Sequence, residues 1–358
     1  MIARVGFVVI GRNEGVRLEA CLAAVTAAGA PLVYADSASS DGSPDRAARA
    51  GATVINLDPA RRMNAARGRR EGAERLFADH PGIEYVQFLD GDCVLQPGWI
   101  EAATAFLAAQ SDVAAVCGRR FEAHPEASIY NRLCNAEWDT PVGEAEAVGG
   151  DSLMRAEAYR AVGGYDPTVM AGEEPELCLR LRAAGWRIWR LDAPMTEHDV
   201  AMFRLSQWWA RSRRAGIGYA QTWRMSGGAL FGRQLRGAML WTVAVPLAGI
   251  GVALAAGRPW LLGLIPAAYA AQLVRLAARR GTGEPGAWRR AGLMMVTKLG
   301  EGVGAVSAFV RPGNARSVEY KGGGSTGIEL SFGMREAIVT SLLAIAIACT
   351  AAWRSLGD

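Results

Sequence analysis

Short apolar runs alternate, in the first part of the chain, with longer segments in which apolar residues recur every three or four positions. The short runs predict buried strands, and the spaced segments predict helices that bury one face. The predicted strands are residues 5–10, 32–35, 52–57, 86–89 and 186–191, and the predicted helices include 16–28, 64–76 and 98–109. This alternation predicts an α/β domain, with a mostly parallel sheet and flanking helices.

The pattern changes after residue 236, where the polar positions become rare. Residues 237–257 carry no charge, 259–274 form a shorter uncharged run, and 337–353 form a third. About 20 apolar residues suffice to cross a bilayer, so these runs are candidate membrane helices. Residues 291–310 are also apolar, but Lys298, Glu301 and three glycines predict an interfacial or re-entrant helix instead. The alternative is a set of buried helices in a soluble accessory domain.

The distribution of arginines favours the membrane interpretation. Seven arginines and no acid lie between residues 204 and 236, and five more lie between 275 and 290. Basic residues next to membrane helices remain on the cytoplasmic side, which predicts a hairpin with only the turn at Arg258 outside. The glycine-rich segment 311–335 is a predicted linker, followed by a C-terminal membrane helix in 336–358.

Composition adds two limits. The chain of 358 residues has 51% apolar residues and a mean hydropathy of +0.09, which is high for a purely soluble enzyme. Its six cysteines are scattered without a Cys-x-x-Cys pair, which predicts reduced thiols rather than disulfides or a zinc site.

Two carboxylates follow the predicted strand 86–89, at Asp90 and Asp92. Residues two apart leave a strand on the same side, and ligands of open α/β sheets bind at the carboxyl ends of the strands. Paired carboxylate oxygens suit Mg²⁺ or Mn²⁺. Asp36 follows another strand in the same way, where its oxygens can accept hydrogen bonds from a base or ribose. The alternatives are a solvated turn at residues 90–92 and a turn or helix cap at Asp36.

Three segments, residues 8–14, 36–43 and 88–92, resemble in order and spacing the nucleotide-sugar half of family 2 glycosyltransferases of the GT-A fold, a Rossmann-like architecture. The first segment departs from the family pattern, because Gly11-Arg12-Asn13-Glu14 replaces the usual Pro-x-Tyr-Asn-Glu. The resemblance covers about residues 4–215 and implies a catalytic domain in 1–215, a basic juxtamembrane segment in 216–236, and a membrane hairpin with an interfacial helix in 237–310.

The resemblance also implies donor-site residues. It assigns Arg12, Glu14 and Asp36 to the nucleoside and Arg67 to the nucleotide. It makes Asp90 and Asp92 the Asp-x-Asp pair, which contacts both the donor and a Mg²⁺ or Mn²⁺ ion, with Asp92 the more direct ligand.

The acceptor side is implied by two further motifs. The glycine-rich segment 148–155 resembles the family's acceptor strand, in which Gly150 permits close approach and Asp151 binds an acceptor hydroxyl; the alternative is a bulged strand. The segment 172–181 resembles the family's Glu-Asp motif, with Glu174 in place of Asp. Glu174 is therefore the predicted catalytic base, and Glu173 and Glu176 are its competitors. The alternative is that these acids only complement a helix dipole.

Two late elements complete the predicted site. His198 is a candidate third metal ligand, although a lone histidine is often structural. The segment 203–214 resembles the arginine-and-aromatic helix of membrane-linked relatives, in which Arg211 and Arg214 would bind the donor diphosphate. The alternative for this helix is a basic face on anionic lipid. The carboxylate motifs and the apolar tail predict that nucleic acid is not a partner.

The resemblance therefore implies a metal-dependent, inverting transferase at the bacterial inner membrane, with its catalytic domain facing the cytoplasm. It would use a UDP-, GDP- or dTDP-sugar and a lipid-linked or glycan acceptor in surface polysaccharide assembly. A catalytically silent membrane scaffold and a processive polysaccharide synthase remain alternatives. A dinucleotide-binding oxidoreductase is disfavoured, because no Gly-x-Gly-x-x-Gly follows the first strand.

Overall fold

The computed structural model describes residues 5–279, 282, 283 and 286–310. The chain separates into two compact units, with the division between Phe203 and Arg204. The predicted linker in 311–335 and the predicted C-terminal helix in 336–358 lie outside the described residues.

The first unit is built on a nine-stranded sheet. Its strands are β1 (Val5–Gly11), β2 (Leu32–Asp36), β3 (Thr53–Asn56), β4 (Tyr85–Asp90), β5 (Cys93–Leu95), β6 (Val113–Glu122), β7 (Gly143–Glu144), β8 (Ser152–Arg155) and β9 (Arg187–His198). Their order is β3-β2-β1-β4-β8-β6-β9-β5, with β7 paired to β9. The apolar residues of β1 and β4 are buried in the core, as uninterrupted apolar runs predict.

Seven helices accompany these strands in the first unit. They are α1 (Val16–Thr26), α2 (Ser43–Arg49), α3 (Ala65–Asp79), α4 (Trp99–Ala109), α5 (Ile129–Glu137), α6 (Ala156–Ala161) and α7 (Glu173–Ala183). Helix α3 starts where Asn64 caps it, since the Asn64 side chain accepts a hydrogen bond of 2.8 Å from the Arg67 backbone N–H. Gly72 on α3 lets the helix lie close on the sheet, because a Cβ there would come within 2.5 Å of Val8 Cγ1.

The predicted α/β class is confirmed, and the sheet is mixed. Strands β1, β2, β3 and β4 pair in parallel, as do β6 and β9. Strand β8 lies between β4 and β6 and is antiparallel to both. The parallel block of β1 to β4 therefore corresponds to the strand–helix alternation of the first 90 residues, and the parallel β6–β9 pair and the antiparallel pairings involve the later strands.

Strand β9 is longer than the predicted strand 186–191. Polar residues such as Asp192 and Glu197 interrupt its apolar run, but the strand continues to His198 because it pairs with both β6 and β5. Tertiary pairing thus overrides the local pattern. The extension carries His198 to the position opposite Cys93 of β5.

The second unit is helical in its described part. It contains α8 (Leu205–Met225), α9 (Gly232–Met239), a π-helical turn (Leu240–Ala244), α10 (Val245–Ala255), a 3₁₀ turn (Pro259–Gly263), α11 (Leu264–Ala278) and α12 (Ala287–Val310). The predicted domain boundary at residue 215 falls inside α8, which belongs entirely to this unit. Three helical stretches are long and apolar enough to cross a membrane, namely Gly232–Ala255, Pro259–Ala278 and Ala287–Val310.

Helix α12 contains the segment 291–310 that the sequence predicted as an interfacial or re-entrant helix, and it is long and apolar enough to cross a membrane. It is continuous, and its glycines lie where it packs against its neighbours rather than where it is weak. A Cβ at Gly300 would come within 2.8 Å of Ser212 Cβ, and one at Gly304 would overlap the carbonyl oxygen of Arg213. Small residues let two helix backbones approach closely, which explains the glycines on this face. Lys298 and Glu301 form an ion pair of 2.6 Å on the same helix.

Candidate active site

The candidate site lies at the carboxyl edge of β1, β2 and β4. Strand β4 ends at Asp90, whose backbone N–H donates a 3.0 Å hydrogen bond to Asp151 Oδ1. The next residue, Gly91, donates from its N–H to the carbonyl oxygen of Ile10, at 2.8 Å. A Cβ at Gly91 would be 3.1 Å from that oxygen, so glycine lets the turn between the two aspartates lie against β1. The turn thereby brings Asp92 to the position directly before β5.

Asp92 and His198 come together through strand pairing. Strands β5 and β9 are antiparallel, and Cys93 is directly opposite His198 in their register. His198 Nε2 lies 3.1 Å from Asp92 Oδ2, and both side chains are buried. Trp138 packs against the imidazole, with 4.9 Å between ring centroids. The geometry therefore joins two of the predicted metal ligands, which are 106 residues apart in sequence.

The residues around Asp92 fit a divalent ion. Ligand atoms of Asp92, Cys93 and His198 all lie within 4.8 Å of one another. His198 Nδ1 is buried and has no hydrogen-bond partner among the described residues, whereas Nε2 lies within hydrogen-bond distance of Asp92 Oδ2. A carboxylate oxygen and an imidazole nitrogen are a donor pair that suits Mn²⁺ among the ions predicted.

Asp90 has a different environment. Ligand atoms of Asp90, Cys93 and Asp151 also lie within 4.8 Å of one another, but the Arg120 guanidinium occupies this cluster. Arg120 NH2 lies 3.3 Å from Asp90 Oδ2, and its Nε lies 3.5 Å from Asp151 Oδ2. A guanidinium already neutralises these carboxylates, so the Asp92 side is the better place for an ion.

Arg69 connects Asp90 to the predicted catalytic acids. Its side chain is buried, and its NH2 donates to Asp90 Oδ1 at 2.8 Å. Its NH1 donates to Glu173 Oε1 at 2.7 Å and lies 3.2 Å from Glu174 Oε1. One guanidinium on α3 thus contacts three carboxylates from two other elements, β4 and the first turn of α7.

Glu174 is the acid whose protonation is most altered. The pKa of the Glu174 carboxyl is raised to about 8, first by burial and then by the negative charge of Glu173, while Arg69 opposes the shift. Glu176, the other competitor, instead makes a two-pronged pair with Arg180, at 2.7 and 2.6 Å. Of the three acids, Glu174 therefore has the environment that best suits a proton acceptor near neutral pH.

Gly150 and Asp151 lie beside this group. A Cβ at Gly150 would come within 3.2 Å of Asp90 Oδ2 and 3.3 Å of Glu174 Oε1, so the glycine keeps space between the carboxylates. Asp151 is buried, and its Oδ2 accepts a 2.8 Å hydrogen bond from the Thr196 hydroxyl. Since its Oδ1 accepts from the Asp90 N–H, Asp151 holds the turn in place. Its contact with an acceptor stays a prediction.

The residues assigned to the nucleoside surround the ends of β1 and β2. Asp36 is buried and accepts hydrogen bonds from the Ser39 N–H at 2.7 Å, the Ser39 hydroxyl at 2.6 Å and the Tyr34 hydroxyl at 3.1 Å. Glu14 is also buried, and its Oε2 lies 3.6 Å from Arg17 NH2. The Arg12 N–H lies 3.4 Å from Glu14 Oε1. The structure places the three residues at one edge, and their donor contacts stay predictions.

Two of the predicted arginines have other surroundings. Arg67 is buried, its Nε donates to Glu71 at 2.6 Å, and its NH1 donates to the carbonyl oxygen of Asp58 at 2.9 Å. It therefore secures the loop before α3. Arg211 and Arg214 lie on α8 in the second unit, where the Arg211 guanidinium is 5.5 Å from the Trp208 ring centroid. The donor roles of these arginines stay predictions.

Sequence reasoning did not single out four residues of the site: Arg69, Arg120, Cys93 and Thr196. Arg69 lies in the Arg-rich start of α3, two positions after Arg67 and therefore on a different side of the helix. Arg120 and Thr196 come from β6 and β9, whose pairing with the site has no local signal. Cys93 follows the Asp-x-Asp motif directly, so its position next to Asp92 was the one available sequence signal.

Comparison with known proteins confirms the resemblance. Residues 7–154 match the family model described as glycosyl transferase family 2. The succinoglycan biosynthesis protein ExoA of Rhizobium meliloti is 32% identical over 197 residues, which cover 50% of this chain and 58% of that protein. The pre-mycofactocin glycosyltransferase of Mycobacterium tuberculosis is 32% identical over 139 residues, which cover 36% of this chain and 29% of that protein. The chain thus matches only part of each relative's length.

The fold is shared with a solved glycosyltransferase. The mannosyltransferase PcManGT from Pyrobaculum calidifontis, solved with GDP-Man and Mn²⁺, has a TM-score of 0.56 and 18% identity. The likeness covers 86% of this chain and 88% of that chain. At this identity it shows the fold alone.

Proposed function

We propose that the chain, whose residues 7–154 match the family model of glycosyl transferase family 2, moves a sugar from a nucleotide-diphosphate donor to an acceptor hydroxyl. The transfer inverts the anomeric carbon. The observation that carries the proposal is the arrangement at the carboxyl edge of β4. There, Arg69 holds Asp90 of the Asp-x-Asp turn and Glu173 of the predicted catalytic helix at 2.8 and 2.7 Å.

The proposed reaction uses Glu174 on the acceptor side of this edge and the Asp-x-Asp turn on the donor side. The acceptor oxygen forms a bond to the anomeric carbon, while the bond from that carbon to the diphosphate oxygen breaks and the nucleoside diphosphate leaves. Glu174 takes the proton of the acceptor hydroxyl, and its raised pKa matches that role near neutral pH. Glu173 accepts a 2.7 Å hydrogen bond from Arg69 NH1, next to Glu174 in sequence.

Asp92 and His198 are the residues that would hold Mn²⁺ or Mg²⁺, with Asp90 directed toward the donor. The ion supplies neutralisation of the negative charge that develops on the leaving diphosphate. The chain's own contribution is to hold Asp92 Oδ2 and His198 Nε2 at 3.1 Å in a buried setting. Arg120 neutralises Asp90 and Asp151 and so keeps these acids from repelling the donor.

Membrane helices support a lipid-linked acceptor. Three helical stretches of the second unit have the length and composition to cross a membrane. Arginines at residues 204–236 and 275–290 favour a cytoplasmic position for the ends of the first two stretches. A relative that carries the name succinoglycan biosynthesis protein supports a role in surface polysaccharide assembly. We therefore propose that the protein lies at the bacterial inner membrane, with its catalytic domain in the cytoplasm.

Calorimetric binding of UDP, GDP and dTDP to the detergent-purified protein, with and without Mn²⁺, tests the proposal. We expect one nucleotide to bind in the presence of Mn²⁺ and to lose that binding in Asp92→Ala. Asp45→Ala is the matched control, because Asp45 is an exposed aspartate on α2 of the same unit. If no nucleotide binds with any metal, the proposal is overturned in favour of a catalytically silent scaffold.

A further inference from the structure

The residue that follows the Asp-x-Asp motif offers the site a sulfur ligand. Cys93 is fully buried at the start of β5, and the register of β5 with β9 places it directly opposite His198. Side chains at directly opposite positions of antiparallel strands lie on the same face of the sheet, with Cβ atoms about 5 Å apart. The thiol and the imidazole therefore face the same space, beside Asp92.

The distances in this group match those of a bound ion. A tetrahedral ion with bonds of about 2.0–2.3 Å separates its ligand atoms by about 3.3–3.5 Å. Asp92 Oδ2 and His198 Nε2 are 3.1 Å apart, and Cys93 Sγ is 3.8 Å from Asp92 Oδ1. All three ligand atoms lie within 4.8 Å of one another, so one ion can contact them with side-chain adjustments of less than a bond length.

We propose that Cys93 is a third protein ligand at the Asp92–His198 site, so that this site binds the thiophilic ions Zn²⁺ and Cd²⁺ in competition with Mn²⁺. The thiol releases its proton to solvent when the sulfur–metal bond forms. Carboxylate, imidazole and thiolate together are a softer donor set than the oxygen ligands that Mg²⁺ and Mn²⁺ prefer. The inference rests on the proposed metal site, and it does not require sugar transfer.

The contacts of Cys93 explain why its sulfur is available on this side. Arg120 NH2 donates to Cys93 Sγ at 2.9 Å and also contacts Asp90, so the guanidinium orients the sulfur from the Asp90 side. The Arg120 guanidinium is already a cation in the Asp90–Cys93–Asp151 group, so it excludes a metal cation from that position. An ion that uses the sulfur must therefore approach from the side of Asp92 and His198.

Metal titration of the detergent-purified, chelator-treated full chain tests the inference without any donor. Cd²⁺ alone is the first probe, because a thiolate–Cd²⁺ bond gives an ultraviolet charge-transfer absorption that carboxylates and imidazoles do not. We expect this absorption in the unmodified protein, its loss in Cys93→Ser, and its retention in Cys117→Ser. Cys117 is a matched control, because it is a buried cysteine on β6 that belongs to neither carboxylate group.

Comparing the metal affinities of Cys93→Ser with those of the unmodified chain distinguishes the contribution of the sulfur from the general order in which proteins bind divalent metals. Zn²⁺ and Cd²⁺ bind many nitrogen and oxygen sites more tightly than Mn²⁺, so a preference for them is not enough. We expect Cys93→Ser to weaken Cd²⁺ binding at least about tenfold, because it removes the soft ligand, and to change Mn²⁺ binding less than about threefold. Equal Cd²⁺ affinity in Cys93→Ser and the unmodified chain would overturn the inference.

A competition measurement needs no variant and so remains valid if Cys93→Ser does not fold. We expect saturating Mn²⁺ to reduce the initial Cd²⁺ absorption, and stoichiometric Cd²⁺ to release bound Mn²⁺, which is detected by its electron paramagnetic resonance signal. An absorption that is indifferent to Mn²⁺ places the thiolate at another site and rejects the inference. Failure of the proposed function would appear separately, as absent nucleotide binding in a protein that binds both metals.

Discussion

The carboxylate edge of the first unit and the α8–α12 helix pair of the second unit are held together by opposite means. At the edge, two arginines, the buried Arg69 and the half-buried Arg120, contact four carboxylates within 3.5 Å. In the helix pair, close contact depends on glycine, because the lack of a side chain at Gly304 lets α12 lie against the backbone of α8 at Arg213. One region is specified by charge and the other by volume.

The difference between the two regions indicates where a mutation can change stability without changing the groups proposed to bind substrate. Charge changes at the edge alter the groups that would touch the donor and acceptor, and they also leave partner charges buried. A volume change at Gly304 affects packing at a position that is not itself a predicted ligand. We therefore expect the two regions to respond to mutation in different measurements.

The largest effect is expected from Asp92→Asn, which removes a charged metal ligand and keeps the shape. Metal-dependent nucleotide binding should be lost, and sugar transfer should fall about ten-thousandfold, since charge stabilisation by the ion is worth several kcal/mol. Isothermal calorimetry and a radiolabelled-sugar transfer assay measure the two quantities. Asp45→Asn is the control and should change neither, while retained Mn²⁺-dependent binding in Asp92→Asn would contradict the assignment.

Glu174→Gln should separate chemistry from binding at the same edge. It removes the proton acceptor, so kcat should fall about a thousandfold while nucleotide affinity stays unchanged. Glu176→Gln is the matched control on α7, because that acid is engaged by Arg180. Comparable kcat losses in both variants would show that Glu174 has no special role.

The pH profile sharpens the same prediction. Burial raises the pKa of Glu174 to about 8 from 4.5, so the carboxyl must lose its proton before it can act as a base. We expect kcat/KM to rise with pH up to about 8 and then level. Between pH 4.5 and 8 the unfolded chain releases this proton and the folded chain retains it, so stability falls with rising pH. Glu174→Gln should lack that loss in thermal unfolding.

Arg69→Met should give the largest loss of stability. It leaves Asp90, Glu173 and Glu174 without their shared guanidinium, and breaking a buried ion pair costs about 3–5 kcal/mol. Arg75→Met is the control on the same helix, because Arg75 forms a half-exposed pair with Asp79 that is worth less than about 1 kcal/mol. Chemical unfolding of the first unit, followed by tryptophan fluorescence, compares them. Equal effects would mean that the cluster is not buried as described.

Gly304→Ala should give the smallest effect, and in the second unit. A methyl group there overlaps the carbonyl oxygen of Arg213, and overpacking costs about 1–3 kcal/mol. Gly292→Ala on the same helix has nothing within 4 Å of the added carbon and should stabilise it by up to about 1 kcal/mol. Thermal unfolding in detergent measures the contrast, and nucleotide affinity should not change. Stabilisation by both would contradict the packing.

Local patterns predicted the parts of the molecule that local forces decide. The apolar run of β4 and the glycine turn between Asp90 and Asp92 are continuous in sequence, so the strand and its pair of carboxylates could be predicted together. The apolar composition of 237–257 likewise predicted a helix, and the observed helical stretch is Gly232–Ala255. In each case burial or helix formation involves neighbours along the chain.

The remainder depends on which distant strands pair. Arg69 was not distinguished from Arg67, because only the packing of α3 on the sheet decides which arginine meets Asp90. Likewise, no local feature indicates that His198 should lie opposite Cys93, since that requires the register of β5 and β9. The glycines of α12 were misinterpreted for the same reason, because their partner is on α8.

The register of β5 and β9 also makes metal binding depend on correct folding of the sheet. A slip of one residue would turn Cys93 and His198 to opposite faces of the sheet, although no amino acid had changed. Only a molecule with the right pairing would then offer Asp92 and His198 to the same ion, and an ion that binds the native state alone favours it by mass action. Metal supply during synthesis would therefore stabilise the molecules in which β9, the last strand of the sheet, has paired with β5 in the correct register.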